Sequence, residues 1–203
     1  MTFSFTEGHS DPTVQPVPAS VVQQVDAADT TLSNPRRAVI SIGANLGNRL
    51  ETLQGAIDAL EDTPGVRIKA VSPVYETVPW GVDPDSQPSY FNAVVVLKTT
   101  LPPSSLLERA HAVEEAFHRV REERWGARTI DVDIVAYADV VSDDPVLTLP
   151  HPRAHERAFV LAPWHDVEPE AQLPGRGPVA ALLDVITRDG VAPRKDLELR
   201  LPE

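Results

Sequence analysis

Two aspartates, Asp131 and Asp133, stand one residue apart within a run of branched apolar residues. Successive side chains of a strand point to opposite faces, so the two carboxylates are predicted to share one face and their apolar neighbours the other. Carboxylates held this close repel each other unless a cation neutralises them, and ligation by oxygen alone suits Mg²⁺ bound to the phosphates of a nucleotide. A solvated edge strand shows the same alternation, so the pair by itself leaves both interpretations open.

A basic cluster lies immediately before the aspartates, in a chain whose formal net charge is -12. Guanidinium groups form bidentate hydrogen bonds to phosphate oxygens and can offset the charge of a phosphoryl group during its transfer. Glu122 and Glu123 within the cluster favour instead a salt-bridged, solvated helix end. Because the cluster adjoins the aspartate pair, phosphoryl chemistry is the preferred interpretation. The cluster consists of Arg119, Arg121, Arg124 and Arg128.

Tyr90 and Asn92 share one face of a predicted strand. Together they present a flat aromatic ring and an amide that both donates and accepts hydrogen bonds, which suits a flat heterocycle. Most aromatic residues near strands belong to the core, and an asparagine there often satisfies backbone groups. The residues alone therefore favour a structural role for both.

A glycine turn at residues 43–47 follows the first predicted strand and precedes a helical pattern. It lacks the Gly-Lys-Ser/Thr ending of a Walker P-loop, and its ordinary interpretation is a strand-to-helix turn with Asn48 as the helix cap. Further along, His151 lies in a turn-rich segment with Arg157 and Phe159. A lone histidine is usually structural, so its residues alone assign this segment no chemistry.

The elements that position these residues follow from hydrophobic periodicity, which predicts the order βαββαβ. That order is the signature of a ferredoxin-like α+β sandwich with two helices on one face of the sheet. A capping box from Ser105 to Glu108 predicts the start of the second helix. The predicted strands are residues 38–42, 66–74, 90–97 and 130–135, the helices carry apolar stripes at 50–60 and 106–120, and additional C-terminal elements are expected at 146–149, after His155 and at 179–186.

Length and composition limit the remaining possibilities. The 203 residues suit one domain, residues 37–203, after an N-terminal extension, residues 1–36, whose polar, proline-rich composition predicts disorder. The absence of cysteine excludes disulfides and thiolate metal sites, and the acidic balance disfavours nucleic acid and anionic membranes as partners. With no signal-like or membrane-spanning run, a cytoplasmic protein is expected.

Five ordered motifs resemble those of the 6-hydroxymethyl-7,8-dihydropterin pyrophosphokinase family of the folate pathway. The resemblance runs from residue 38 to at least residue 174, and it includes neither residues 1–36 nor any recognisable feature of residues 188–203. The motifs are IGANLG (42–47), SPVYET (72–77), QPSYFNA (87–93), ERWGARTIDVDI (123–134) and LPHPR (149–153) with Arg157 and Phe159.

The resemblance implies transfer of the β,γ-pyrophosphoryl unit of ATP to the hydroxymethyl oxygen of the pterin, with release of AMP. It implies that Asp131 and Asp133 hold two Mg²⁺ ions and that Arg119 and Arg128 act in catalysis as a loop closes. Residues matching the pterin site are Gly43, Thr77, Pro79, Tyr90, Asn92 and Phe159, the two aromatic rings sandwiching the pterin. Residues matching the ATP site are Glu114, Arg121, Trp125, Thr148, His151 and Arg157.

Two other functions compete with this interpretation. A palm-like, Mg²⁺-dependent nucleotidyl transferase also pairs aspartates on a ferredoxin-like sheet, but the net charge of -12 argues against a nucleic-acid substrate. A non-enzymatic small-molecule-binding module has no use for the arginine and aspartate cluster. We expect a monomer whose partners are ATP and the pterin, without nucleic acid or membrane. The sequence departs from the family's usual pattern at Ala44, Val78, Trp80 and Pro152.

Overall fold

An antiparallel sheet of six strands lies between two layers of helices in the computed structural model, which describes residues 34–79, 87–117 and 129–202. The elements are β1 (Arg36–Ala44), α1 (Arg49–Glu61), β2 (Val66–Val71), β3 (Tyr75–Thr77), β4 (Tyr90–Thr99), α2 (Pro103–Ala116), β5 (Asp131–Tyr137), β6 (Ser142–Asp143), β7 (Thr148–Leu149), a 3₁₀ turn (Ala154–Glu156), α3 (Ala158–Val167), β8 (Gln172–Leu173), β9 (Gly177–Pro178), α4 (Val179–Val185) and β10 (Val191–Pro193).

The four predicted strands form most of the sheet, in the order β5-β1-β4-β2. Every pairing among them is antiparallel. The run predicted as one strand, residues 66–74, is interrupted after Val71, because the hydroxyl of Ser72 accepts the backbone N–H of Val94 at 2.8 Å in place of a regular ladder bond. Beyond the interruption, β3 pairs with the other half of the same β4 edge, and β10 pairs with β3. Neither of these short strands was predicted.

The first two helices begin in different ways. Asn48 caps α1, its side chain accepting the N–H of Glu51 at 3.4 Å, as predicted. The capping box from Ser105 to Glu108 is wrong, because α2 begins earlier, at Pro103, and has no side-chain cap. Proline is favoured in the first turn of a helix, where its missing N–H leaves no bond unmade.

The sheet has a core on each face. The first face packs against α1 and α2, and its buried side chains include Ile40, Ile42, Val95, Leu97, Val132 and Ile134. The second face packs against α3 and α4 around Val39, Val94, Val96 and the fully buried Trp164. Burial on both faces explains why β1 and β4 are nearly continuous apolar runs. In the described parts of the chain, no helix is both long and apolar enough to span a bilayer.

Candidate active site

The predicted site residues of the strands lie on the second face of the sheet, towards one end. Alternation places Gly43 with Val39 on β1, and Tyr90 and Asn92 with Val94 on β4. On β5, Val132 and Ile134 are buried in the first core, so Asp131 and Asp133 face the opposite way and are partly exposed. The prediction that the carboxylates share a face is therefore confirmed.

Three paired residues on neighbouring strands, Asn92, Gly43 and Asp131, form a row across the sheet. The row connects the asparagine side of the site to the aspartate side. Gly43 is paired with Asn92 on one side and with Asp131 on the other. Since neighbouring strands lie about 4.8 Å apart, the Cα atoms of Asn92 and Asp131 are about 10 Å apart. A Cβ atom on Gly43 would lie 2.6 Å from Oδ1 of Asn92. Glycine is required at this position because the asparagine amide occupies the space that a side chain would take.

The aspartate side of this row lines a polar cavity of about 340 Å³. Arg157 lies 3.5 Å from Asp133 (Nη1 to Oδ2), and His151 lies 3.9 Å from the same oxygen (Nε2 to Oδ2). The buried carboxylate of Glu114 accepts the backbone N–H of Val132 at 2.9 Å, which fixes α2 against β5. The predicted ATP residues that line the cavity with the aspartates are Glu114, Thr148, His151 and Arg157.

His151, which lines the cavity, is neutral at neutral pH. Burial, together with the positive charge of Arg157, lowers the pKa of His151 to about 4. Nδ1 of His151 accepts the backbone N–H of Arg153 at 3.2 Å, so the neutral ring carries its proton on Nε2, the nitrogen closer to Asp133. The ring can therefore donate a hydrogen bond into the cavity without adding a charge to it.

The other side of the row is built around Asn92. Its Nδ2 donates to Oγ1 of Thr77 at 2.8 Å, and both side chains are buried. Thr77 in turn pairs with Tyr90 across β3 and β4, and Pro79 is the last described residue before the segment 80–86. Phe159 lies in α3, partly buried against the second core. The amide orientation is thus fixed by a neighbour, as recognition of a heterocycle's edge requires.

Some predicted positions lie outside the described residues: Arg119, Arg121, Trp125, Arg128 and the divergent Trp80. Sequence reasoning also missed residues that the structure brings to the site. His111 lines the cavity and stands with Leu107 and Glu114 on one face of α2, a spacing of four and three residues that could have identified it. Ser41 lies on β1, paired with Asp133.

Within the described residues, the aspartate pair is not part of a larger cluster of metal ligands. Among the residues that the structure describes, no group of three or more histidine, cysteine or acidic side chains is arranged to hold a metal ion. The arrangement offers two oxygen ligands beside a cation and a neutral imidazole donor. A metal ion held by this pair would take further ligands from water or from a substrate.

Comparisons with known proteins match the chain to one family. A family model described as 7,8-dihydro-6-hydroxymethylpterin-pyrophosphokinase (HPPK) matches residues 39–169. Three similar proteins are each named 2-amino-4-hydroxy-6-hydroxymethyldihydropteridine pyrophosphokinase. They come from Methylorubrum extorquens (44% identity, 68% of this chain, 87% of the relative), Mycobacterium leprae (47%, 68% and 74%) and Pseudomonas aeruginosa (39%, 77% and 95%).

Solved structures show the same fold at lower identity. One is a triple mutant of Plasmodium falciparum HPPK-DHPS with pteroate, with a TM-score of 0.60 and 18% identity, covering 76% of this chain and 44% of that chain. The wild-type protein with pteroate has a TM-score of 0.60 at 16% identity, covering 74% and 44%. The chain therefore spans less than half the length of these proteins, and the likeness extends to the fold.

Proposed function

The chain belongs to the 7,8-dihydro-6-hydroxymethylpterin-pyrophosphokinase family, and we propose on that basis how its site performs the family's reaction. The enzyme transfers pyrophosphate from ATP to 6-hydroxymethyl-7,8-dihydropterin and releases AMP, a step of folate biosynthesis. Phosphoryl transfer of this kind depends mainly on positioning the reactants and on offsetting charge.

The observation that carries the proposal is the row of Asn92, Gly43 and Asp131. It sets a hydrogen-bonding amide for the pterin about 10 Å from a carboxylate pair for the nucleotide. That separation leaves room for the hydroxymethyl group of one substrate to meet the phosphates of the other. Tyr90 and Phe159 would stack on the faces of the pterin, with Thr77, Pro79 and the backbone at Gly43 along its edges.

The acidic pair fits Mg²⁺ delivered with ATP. Asp131 and Asp133 offer hard oxygen ligands from one rigid strand, and the remaining ligands would come from phosphate oxygens and water, as Mg²⁺ prefers. We assign two Mg²⁺ ions to the pair. When bound, the ions offset the charge of the triphosphate and orient it.

Side chains of the protein would bind the nucleotide and stabilise its developing charge. Arg157 would bind phosphate oxygens beside Asp133, and the Nε2 proton of His151 would donate to another. Arg119 and Arg128 would stabilise the charge that develops in the transition state, with Arg121 and Trp125 contacting ATP from the same stretch. Glu114 and Thr148, which line the cavity, are assigned to the nucleotide as well.

Several finer assignments belong to the same proposal. The strand order β5-β1-β4-β2 supports a ferredoxin-like βαββαβ core extended by the C-terminal elements. We also propose that the predicted domain, residues 37–203, is a single domain that begins one residue earlier than predicted, at Arg36, where β1 starts. We further propose that the protein works as a monomer and that it acts in the cytoplasm.

The test is to incubate the protein with Mg-ATP and the hydroxymethyl dihydropterin and to identify the nucleotide product. We expect AMP in a one-to-one ratio with the pterin diphosphate. Formation of ADP would indicate an ordinary kinase, and release of inorganic pyrophosphate would indicate a nucleotidyl transferase. Either result would overturn the proposed function.

A further inference from the structure

The C-terminal segment, defined as residues 187–202, lies beyond the residues that the family model matches yet contacts the pterin side of the site. Its strand β10 pairs with β3, with Val191 opposite Thr77 and Ala192 opposite Glu76. The N–H of Val78 donates to the carbonyl of Gly190 at 3.1 Å, and the N–H of Arg194 donates to the carbonyl of Val74 at 2.8 Å. The three-residue β3 is therefore held along both of its edges.

The contact at Gly190 is close. This glycine has φ +72°, a conformation that favours glycine, and a Cβ atom there would collide with the side chain of Val78. The backbone of the C-terminal segment thus lies directly against the residue that follows Thr77. Thr77 is the group that orients the amide of Asn92.

A side-chain network extends this contact to the other strand of the site. Nη1 of Arg194 donates to Oε2 of Glu76 at 2.6 Å, and the guanidinium also binds Asp196. The other oxygen of Glu76 accepts the hydroxyl of Ser89 at 2.5 Å. Arg49 binds the same carboxylate at 3.3 Å and the carbonyl of Ser89 at 2.7 Å. Ser89 immediately precedes Tyr90, so the network reaches the start of β4.

Both arginines also lie against Phe91, the residue that follows Tyr90. The guanidinium carbon of Arg49 is 3.6 Å from the centre of the Phe91 ring, and that of Arg194 is 5.4 Å from it. Stacking and ion pairing together restrict each guanidinium to one place, which a lone surface ion pair does not do. Hydrogen bonds from Ser89 and from Arg194 keep the pKa of Glu76 below its usual value, so its carboxylate is charged at neutral pH.

We propose that Arg194 is a positioning residue for the pterin. Acting through Glu76, it holds Thr77 and Ser89, the residue before Tyr90, in the arrangement that binds the heterocycle. The inference rests on the proposed function, because it assigns the C-terminal segment to the acceptor half of that site. Arg194 is not among the described residues that line the aspartate cavity, so we expect ATP binding to be independent of it.

The experiment compares Arg194→Ala with Lys195→Ala, which removes the same charge from an exposed neighbour. We expect Arg194→Ala to raise the KM for the pterin about tenfold, while the KM for ATP stays within about twofold. Lys195→Ala should leave both constants unchanged. Arg194→Lys should restore part of the pterin affinity, since lysine can still pair with Glu76 although it cannot stack in the same way.

A double-mutant cycle tests whether Arg194 acts through Glu76. Glu76→Gln should itself raise the KM for the pterin, and Arg194→Ala should add little in that background. An equal rise in both substrate KM values, or an unchanged KM for the pterin while the wild type still forms AMP, would overturn the inference. Failure of the wild type to form AMP would instead refute the proposed function.

Discussion

At the level of single residues, the carboxylate of Asp133 has two neighbours in the cavity, the guanidinium of Arg157 at 3.5 Å and the neutral imidazole of His151 at 3.9 Å. If it ligates Mg²⁺, Asp133→Ala should abolish the Mg²⁺-dependent part of ATP affinity together with turnover, because the ground-state complex already uses it. Equilibrium ATP binding measured with and without Mg²⁺ provides the readout. Asp139→Ala, at an exposed position beyond the end of β5, should bind ATP normally.

Substitution of Arg128, which lies outside the described residues, should have a different effect from substitution of Asp133. Arg128→Ala is expected to lower kcat much more than it weakens ATP binding, since a contact made mainly in the transition state affects the rate. Single-turnover rates set beside the binding data separate the two effects. Full Mg²⁺-dependent ATP binding and near-normal turnover in Asp133→Ala would refute the metal assignment.

Gly43 provides a second residue-level test. An alanine Cβ placed 2.6 Å from Oδ1 of Asn92 must displace the amide and break its bond to Thr77. Gly43→Ala should therefore raise the KM for the pterin at least about tenfold and affect ATP binding much less. In an Asn92→Ala background the same substitution should add little, because the displaced group is gone. If the effects of Gly43→Ala and Asn92→Ala on the KM for the pterin were additive in the double variant, this explanation would be contradicted.

Sequence reasoning at this scale succeeded where strand alternation decides the geometry. Asp131 and Asp133 were placed on one face because that face follows from the two-residue period alone. The roles of Tyr90 and Asn92 could not be decided in this way, because a partner such as Thr77 lies 15 residues away. Glu76, Arg49 and Arg194 were missed for the same reason, since their association depends on three elements meeting.

At the level of elements, Glu168 joins the end of α3 to the start of β1. Its carboxylate accepts hydrogen bonds from Arg37 and from the indole of Trp164, the latter at 2.8 Å. Burial opposes ionisation of Glu168, but the bonds from Arg37 and Trp164 outweigh it and keep its pKa below the usual value. A carboxyl group with a lowered folded-state pKa stabilises the fold above its unfolded pKa and loses that contribution as the pH falls.

Glu168→Gln should therefore lower the free energy of unfolding at pH 7 by about 1 kcal/mol, a modest loss because solvent screens side chains that are about one-third exposed. The difference from wild type should shrink as the pH falls below the usual range of glutamate pKa values and through the lowered folded-state pKa of Glu168. Urea unfolding at pH 7 and at acid pH measures both effects. Glu170→Gln, an exposed neighbour, should match wild type at each pH. A constant difference across the range would show that the ion pair is not its source.

The long elements were predictable and the short ones were not. β1, α1, β4 and β5 each carry enough turns or alternations for a period to appear. β3 and β10 have three residues each, and they exist because β4 and β3 respectively offer an unpaired edge. Their formation depends on tertiary structure, as expected for short strands, which are stabilised by pairing rather than by local preference.

At the level of the whole molecule, two layers of helices cover the two faces of the sheet, and the C-terminal helices form the layer on the second face. α3 and α4 pack over Val39, Val94 and Val96. At the end of the sheet that carries the site, Asp131 lines the cavity, and Gly43 and Asn92 are buried. The sequence predicted helices on one face only and could not indicate that the C-terminal elements form the second layer. Their position follows from the apolar character of both faces of β1 and β4.

The residues before β1 should contribute little to activity or stability. Residues 1–33 lack an apolar period, and the described residues already supply both cores, so we expect their deletion to leave kcat, both KM values and the melting temperature nearly unchanged. The cut must fall before Arg36, where β1 begins, because Arg37 binds Glu168 and lies 5.6 Å from the Trp164 ring. Deletion of residues 1–37 should therefore lower the melting temperature while the shorter deletion does not. A large loss of activity or stability in the shorter deletion would show that the extension contributes to the folded domain.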